Sequence, residues 1–224
     1  MAILKDLIYG SPSIGVYLAL SNKLCVYPPK INPKIVQFIQ DSNPGIQLIE
    51  SFINGSSVAG VYIAMNSFGM ILPDSVPAEE IHRFQNVLPK DFIITQIDSD
   101  DNTFGNLILC NDKGAVISPL LVDALDIIQK TLKVPTKVFN FAKSKLPGSC
   151  ALANNHGCVV HPMTTEKEAE ELAKILQVEI DVSTINCGDP FLRGGAVIND
   201  TTGIFGRTTT GPEISRIVEI LHIE

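Results

Sequence analysis

Gly60-Val61-Tyr62-Ile63-Ala64-Met65-Asn66-Ser67-Phe68-Gly69-Met70-Ile71-Leu72-Pro73 is the stretch that decides the fold. A glycine opens it, a short apolar strand follows, and Asn66 stands three residues before a second glycine, Gly69. Another apolar strand then runs to a proline. Asn and Gly accept positive φ at low cost, so the segment predicts two strands joined by a tight turn. The same order recurs along the chain. A third copy reads Gly105-Asn106-Leu107-Ile108-Leu109-Cys110-Asn111-Asp112-Lys113-Gly114 and ends at Pro119. The fourth carries Gly148, Asn154, Gly157 and Pro162, and the fifth Gly194, Asp200 and Gly203. The first copy is the most altered. It keeps Gly15 and Pro29 but places Ser21-Asn22 at the turn.

A second marker supports the period. The leucines Leu88, Leu132, Leu176 and Leu221 end successive helical patterns at nearly the spacing of the leading glycines. Two phases locked over most of the chain establish a repeat of about 45 residues. Each unit reads as strand, turn, strand, helix, strand. In the fourth, Ala169, Leu172, Ala173 and Leu176 have helical spacing, with Thr165 and Glu168 placed as a capping box. In the fifth, Ile214, Ile217, Val218 and Leu221 follow Pro212. The fold class is α/β, in one domain of five units at about 1–50, 51–98, 99–143, 144–187 and 188–224. A repeat array either stays open behind polar caps or closes on itself. The spare apolar segment Ile3–Tyr9 and the lack of a cap predict a closed ring, completed by the N-terminal strand.

Composition bounds the function. Of 224 residues, 45% are hydrophobic and 18% charged, which fits a globular chain with a full core. The formal charge of −7 argues against sequence-independent nucleic-acid binding, DNA included. The sequence has no 18-residue apolar run and no cleavable leader pattern at Met1-Ala2-Ile3-Leu4-Lys5-Asp6, so no membrane partner and a cytoplasmic location are expected. Five cysteines without a Cys-x-x-Cys pair fit neither a disulfide framework nor a zinc ribbon. No phosphate-binding loop or dinucleotide fingerprint occurs, and no cofactor is expected.

These motifs together resemble the translation initiation factor 6 family of archaea and eukaryotes, within the five-bladed pentein fold. The similar stretches are Ala59–Pro73, Gly105-Asn106 with Cys110-Asn111-Asp112, Gly157–Pro162, Val197–Asp200 and Thr208–Glu213. The resemblance implies a non-enzymatic monomer that binds the large ribosomal subunit and blocks joining of the small one, with a further role in large-subunit maturation. The implied partners are a large-subunit ribosomal protein and the neighbourhood of the sarcin–ricin loop. The implied contact residues follow the leading glycines at one end of the axis: Gly15, Val61, Asn106, Cys150 and Gly195. Eukaryotic members carry a basic residue where Val61 stands, and a longer C-terminal tail.

Other readings of the same residues compete. Cys150, His156, Cys158 and His161 lie close in sequence and invite a metal site. Against that, Cys158 matches Met70 and Ala115, Cys150 matches Tyr62 and Leu107, and Cys110 matches Met65 and Ala153, which are apolar strand positions. Other penteins modify guanidino groups with a cysteine nucleophile, so Cys187-Gly188-Asp189 with His156 or His161 is the alternative enzymatic set. Asn66, Asn111, Asn154 and Asp200 are expected to shape turns. Asn106 is expected in a strand, either at the interface or in an internal hydrogen bond.

Overall fold

The computed structural model describes residues 2–223. Its strands form five three-stranded sheets. In each sheet the first strand runs antiparallel to the middle one, and the middle one runs parallel to the third. Unit one comprises Ala19–Leu20, Leu24–Tyr27 and Gln47–Glu50, and unit two Ala64–Met65, Gly69–Pro73 and Ile93–Ile97. Unit three has Ile108–Cys110, Ala115–Ile117 and Thr136–Val138, and unit four Ala151–Ala153, Gly157–Val160 and Glu179–Val182. Unit five takes Ala196–Ile198 and Gly203–Gly206 from the end of the chain and Ile3–Asp6 from its beginning. Ile3 pairs with Gly203 and Asp6 with Gly206, in parallel. The five first strands contact one another in cyclic order and surround the axis, so the fold is a five-fold pseudosymmetric α/β ring.

The helices Pro33–Ser42, Ala78–Val87, Leu125–Leu132, Glu166–Leu176 and Gly211–Leu221 cover the outside. Each buries one stripe: Ile35 and Ile39, Ile81 and Phe84, Ile128 and Leu132, Leu172 and Leu176, or Ile217 and Leu221. Three of the five starts are set by side chains. Asn32 accepts the Lys34 N–H, and Thr165/Glu168 and Thr210/Glu213 form complete capping boxes. Three end in left-handed residues, Lys133, Gln177 and His222. Unit three differs in having a 3₁₀ turn, Pro119–Ala124, ahead of its helix. The core is divided among the units, and one cluster joins Ala19, Leu24 and Val26 of unit one to Ile63, Met65 and Met70 of unit two.

Three expectations need correction. The leading glycines lie in single helical turns, Ile14–Tyr17, Ala59–Tyr62 and Phe104–Leu107, and not in strands. Glycine is required there by packing. A Cβ on Gly60 would lie 2.0 Å from the Gly15 carbonyl oxygen, and one on Gly105 would lie 2.0 Å from that of Gly60. Positive φ is likewise not what the turn glycines supply, since Gly69, Gly114 and Gly157 lie outside that region. A Cβ on Gly114 would meet the Ile175 carbonyl at 1.9 Å, so the glycine admits the helix end of the next unit. Finally, the fifth unit is displaced by one residue. The N–H of Asn199 bonds to the Thr202 carbonyl just as that of Asn154 bonds to Gly157, so Asn199 and Thr202 hold the places assigned to Asp200 and Gly203. A Cβ on Gly15 would strike the carbonyls of Arg193 and Ala196, as one on Gly60 would strike those of Gly15 and Leu18. The fifth leading residue is therefore Arg193.

Candidate docking face

Strand directions define the two ends of the ring. Middle and third strands run toward the leading helical turns, so the loops between units and the loops entering the helices gather at that end. Four of the inter-unit loops are tight turns closed by the pairs Ile8–Ser11, Ile53–Ser56, Phe141–Ser144 and Ile185–Asp189. Their tips hold left-handed residues that include Tyr9, Asn54, Ala142, Lys143, Asn186 and Cys187. The loop between units two and three is instead the acidic stretch Asp98–Asp101. Around this end Tyr9, Phe52, Leu120, Val122, Met163 and Phe191 are exposed.

The symmetric ring of residues following the leading position is Val16, Val61, Asn106, Ser149 and Gly194, each partly exposed. Val61 and Asn106 belong to the expected contact set. The other three expected residues fall one place off this ring. Gly15 is buried against the Arg193 and Ala196 carbonyls. Cys150 is fully buried. Gly195 is buried, and a Cβ there would meet Ile185 and Asn186. Counting six residues back from each turn residue, Ser21, Asn66, Asn111, Asn154 and Asn199, would have fixed the register. Asn106 makes the internal bond: its Oδ1 accepts from Ser149 Oγ at 3.0 Å, and its carbonyl accepts the Ser149 N–H. The same side chain remains partly exposed toward the face.

Around the axis the opposite end is polar and self-satisfied, with Phe68 of the second turn exposed at that end. Asn22, Ser67, Asp112, Asn155 and Asp200 bond to one another around the axis, with Asn22 Nδ2 2.7 Å from Asp200 and Ser67 N 2.7 Å from Asp112. Behind them Asn66, Asn111, Asn154 and Asn199 are buried. Each accepts two N–H groups of its own turn, as Asn111 Oδ1 does from Lys113 and Gly114 at 2.9 Å. The turn reading therefore applies to these four, with Asn199 in place of Asp200.

The residues of the metal reading are separated. Cys158 is buried in a middle strand, Cys150 lies under a leading turn, and His156 is on the polar end against His222. Among the described residues no three His, Cys, Asp or Glu groups converge on a metal-sized site. Burial pushes the thiols of Cys25 and Cys110 up to about 12 and that of Cys158 higher still. These thiols stay protonated at neutral pH. In the enzymatic set, Cys187 is exposed on an inter-unit loop and its N–H donates to Glu213. His161 Nδ1 accepts the Met163 N–H, its ring packs edge-on to Phe191, and burial lowers its pKa. His156 lies at the other end of the ring from Cys187. Glu213 fixes the loop. Burial pushes its carboxyl up, but the N–H groups of Thr210 and Gly188 and the hydroxyls of Thr184 and Thr210 outweigh that and hold it at about 2.

Comparison with known proteins agrees with this architecture. The model of the eIF-6 family matches residues 3–220. Translation initiation factor 6 of Saccharolobus islandicus is 36% identical, over 96% of each chain. Eukaryotic translation initiation factor 6 of Encephalitozoon cuniculi is 34% identical, covering 96% of this chain and 89% of its own. Translation initiation factor 6 of Methanosarcina mazei is also 34% identical, over 96% of this chain and 95% of its own. With one family model spanning residues 3–220 of the ring and relatives aligning over 96% of the chain, the chain belongs to the eIF-6 family.

Proposed function

We propose that this protein is a translation factor that binds the large ribosomal subunit and keeps the small subunit from joining it. The leading-turn end is the docking face. The observation that carries this is the collection of Tyr9, Phe52, Met163 and Phe191 around it, while the opposite end spends its polar groups on itself. Exposed aromatics held on short, hydrogen-bonded loops are the residue type that anchors protein interfaces, because little side-chain entropy is lost on contact. A rigid ring with such an end acts by occupying space. The contact expected is of roughly standard size, about 800 Å² per partner. A large-subunit ribosomal protein near the sarcin–ricin loop is its partner. The chain's charge of −7 favours a basic partner surface.

The test is co-sedimentation with purified ribosomal subunits at near-physiological salt. Binding to the large subunit alone, with fewer joined ribosomes, supports the reading. Phe52→Asp and Phe191→Asp should each weaken that binding by roughly tenfold or more, as loss of an interface anchor does. Binding unaffected by both variants would move the docking face elsewhere, and no binding by the unmodified chain would overturn the function.

A further inference from the structure

In four units the leading position is glycine; in the fifth it is Arg193. Its side chain lines a cavity on the ring axis of about 40 Å³, whose other walls include Leu20, Met65, Cys110, Leu152 and Val197. That is room for about three water-sized particles. Nε of Arg193 is buried and has no hydrogen-bond partner among the described residues. Nor does any carboxylate lie within ion-pair distance of the guanidinium there. Arg193 as a whole is only partly buried, but a guanidinium turned to the cavity with its Nε unpaired is costly, and a counter-ion offsets that cost. Cys110 lines the same cavity, and burial lowers the pKa of Arg193.

The carboxylates that could have served are committed elsewhere. At the polar mouth Asp112 accepts from Ser67 N and Oγ, Asn155 Nδ2 and Asn22 Nδ2. Asp200 accepts from Asn22 Nδ2 and from Asn155 N and Nδ2. These bonds hold both acids at the rim.

We propose that the axial cavity binds a single small monovalent anion of halide size, held by the Arg193 guanidinium. The class follows from the walls. Leu20, Met65, Leu152 and Val197 cannot replace a hydration shell, so the ion must be one that sheds water cheaply. A doubly charged oxyanion would lose more solvation than one guanidinium returns.

The purified full-length chain is titrated with sodium chloride against gluconate at constant ionic strength, following the chloride-35 NMR linewidth. Expected is protein-dependent broadening that bromide displaces, and its loss in Arg193→Gly and Arg193→Met. The glycine variant restores the residue that the four sister units carry, and both variants should keep the native circular dichroism spectrum. Crystals grown in bromide should show an anomalous peak beside the guanidinium. Equal broadening in all three proteins, or bromide-saturated crystals without that peak, would overturn the site and leave an adventitious ion only.

Discussion

Four junctions of the ring are clamped by a buried asparagine, and one is not. Asn66 of unit two donates across to the carbonyls of Asn111 and Leu132 in unit three, at 3.2 and 2.8 Å. Asn111 does the same to Asn154 and Leu176, and Asn154 to Asn199 and Leu221. Asn199 closes the ring onto unit one through the Ser21 carbonyl and Asn43 Oδ1. Unit one has Ser21 in this place. Its hydroxyl serves its own turn, accepting from Lys23 and Leu24, and is too short to reach unit two. The Asn22 side chain also passes unit two by, bonding to Asp112 and Asp200. The first junction thus relies on the apolar cluster from Ala19 to Leu88 and on the stacking of Gly60 over Gly15. Apolar packing holds two units together without fixing their register, whereas an amide with four bonds does both. The covalently continuous junction between units one and two is therefore the weaker one. The junction between units five and one, which the chain also crosses, at the Ile8–Ser11 turn, keeps its clamp.

Removing a clamp is the severest way to break this contrast. Asn111→Leu strands two buried carbonyls and two turn N–H groups, and should lower stability by about 3–4 kcal/mol, read from denaturant unfolding. Asn111→Ser copies what unit one does naturally, keeps the turn and loses only the cross-junction donors. Its cost should be about 2 kcal/mol. If Asn111→Ser is neutral, the clamps contribute nothing and the junctions are equivalent.

The reverse change should sharpen it. Ser21→Asn offers the first junction the missing donor toward the Asn66 and Leu88 carbonyls, and should raise stability by about 1 kcal/mol. In the unmodified protein the amides of Leu24 and Gly69 should exchange with solvent about tenfold faster than those of Gly114 and Gly157, one to two net hydrogen bonds being absent. Equal exchange at the two places would put the opening elsewhere in the ring.

The contrast also explains what could be read from the sequence. The period was visible because the clamp needs Asn and the close helix approach needs Gly, so Asn66/Gly69, Asn111/Gly114 and Asn154/Gly157 repeat as pairs. The fifth unit was displaced because Thr202 stands where glycine is usual. Its Oγ1 takes up Asn43 Nδ2 at 2.7 Å, while Asp200 and Gly203 reproduce the spacing one residue later. That slip hid Arg193, and with it the position of Gly194 on the candidate docking face. The helical form of the leading turns was hidden too. Four-residue turns such as Ala59–Tyr62 contain no second turn from which a helical period could be read. Cys150 entered the contact set through the family resemblance, whereas its match to Tyr62 and Leu107 fits its burial against Phe141 and Leu172.

The smallest effect separates two loop ties that look alike. Glu80 of unit two accepts the N–H groups of Asn54 and Gly55, at 2.9 and 3.4 Å. Glu213 of unit five accepts from Cys187, Gly188 and Thr184 as well as from its own capping box. The bonds at Glu213 hold its carboxyl at about 2, against an ordinary value of 4.5. A depressed folded pKa gives stability that is fully present above about 4.5 and lost as the pH falls through 2. Because Glu213 is partly exposed, screening limits the contribution to about 0.5–1 kcal/mol. The Gly188 amide resonance should therefore titrate with a midpoint near 2, and Glu213→Gln should abolish the titration while leaving the ring folded. Titration near 4.5 in the unmodified protein would mean that the Glu213 carboxylate does not tie this loop.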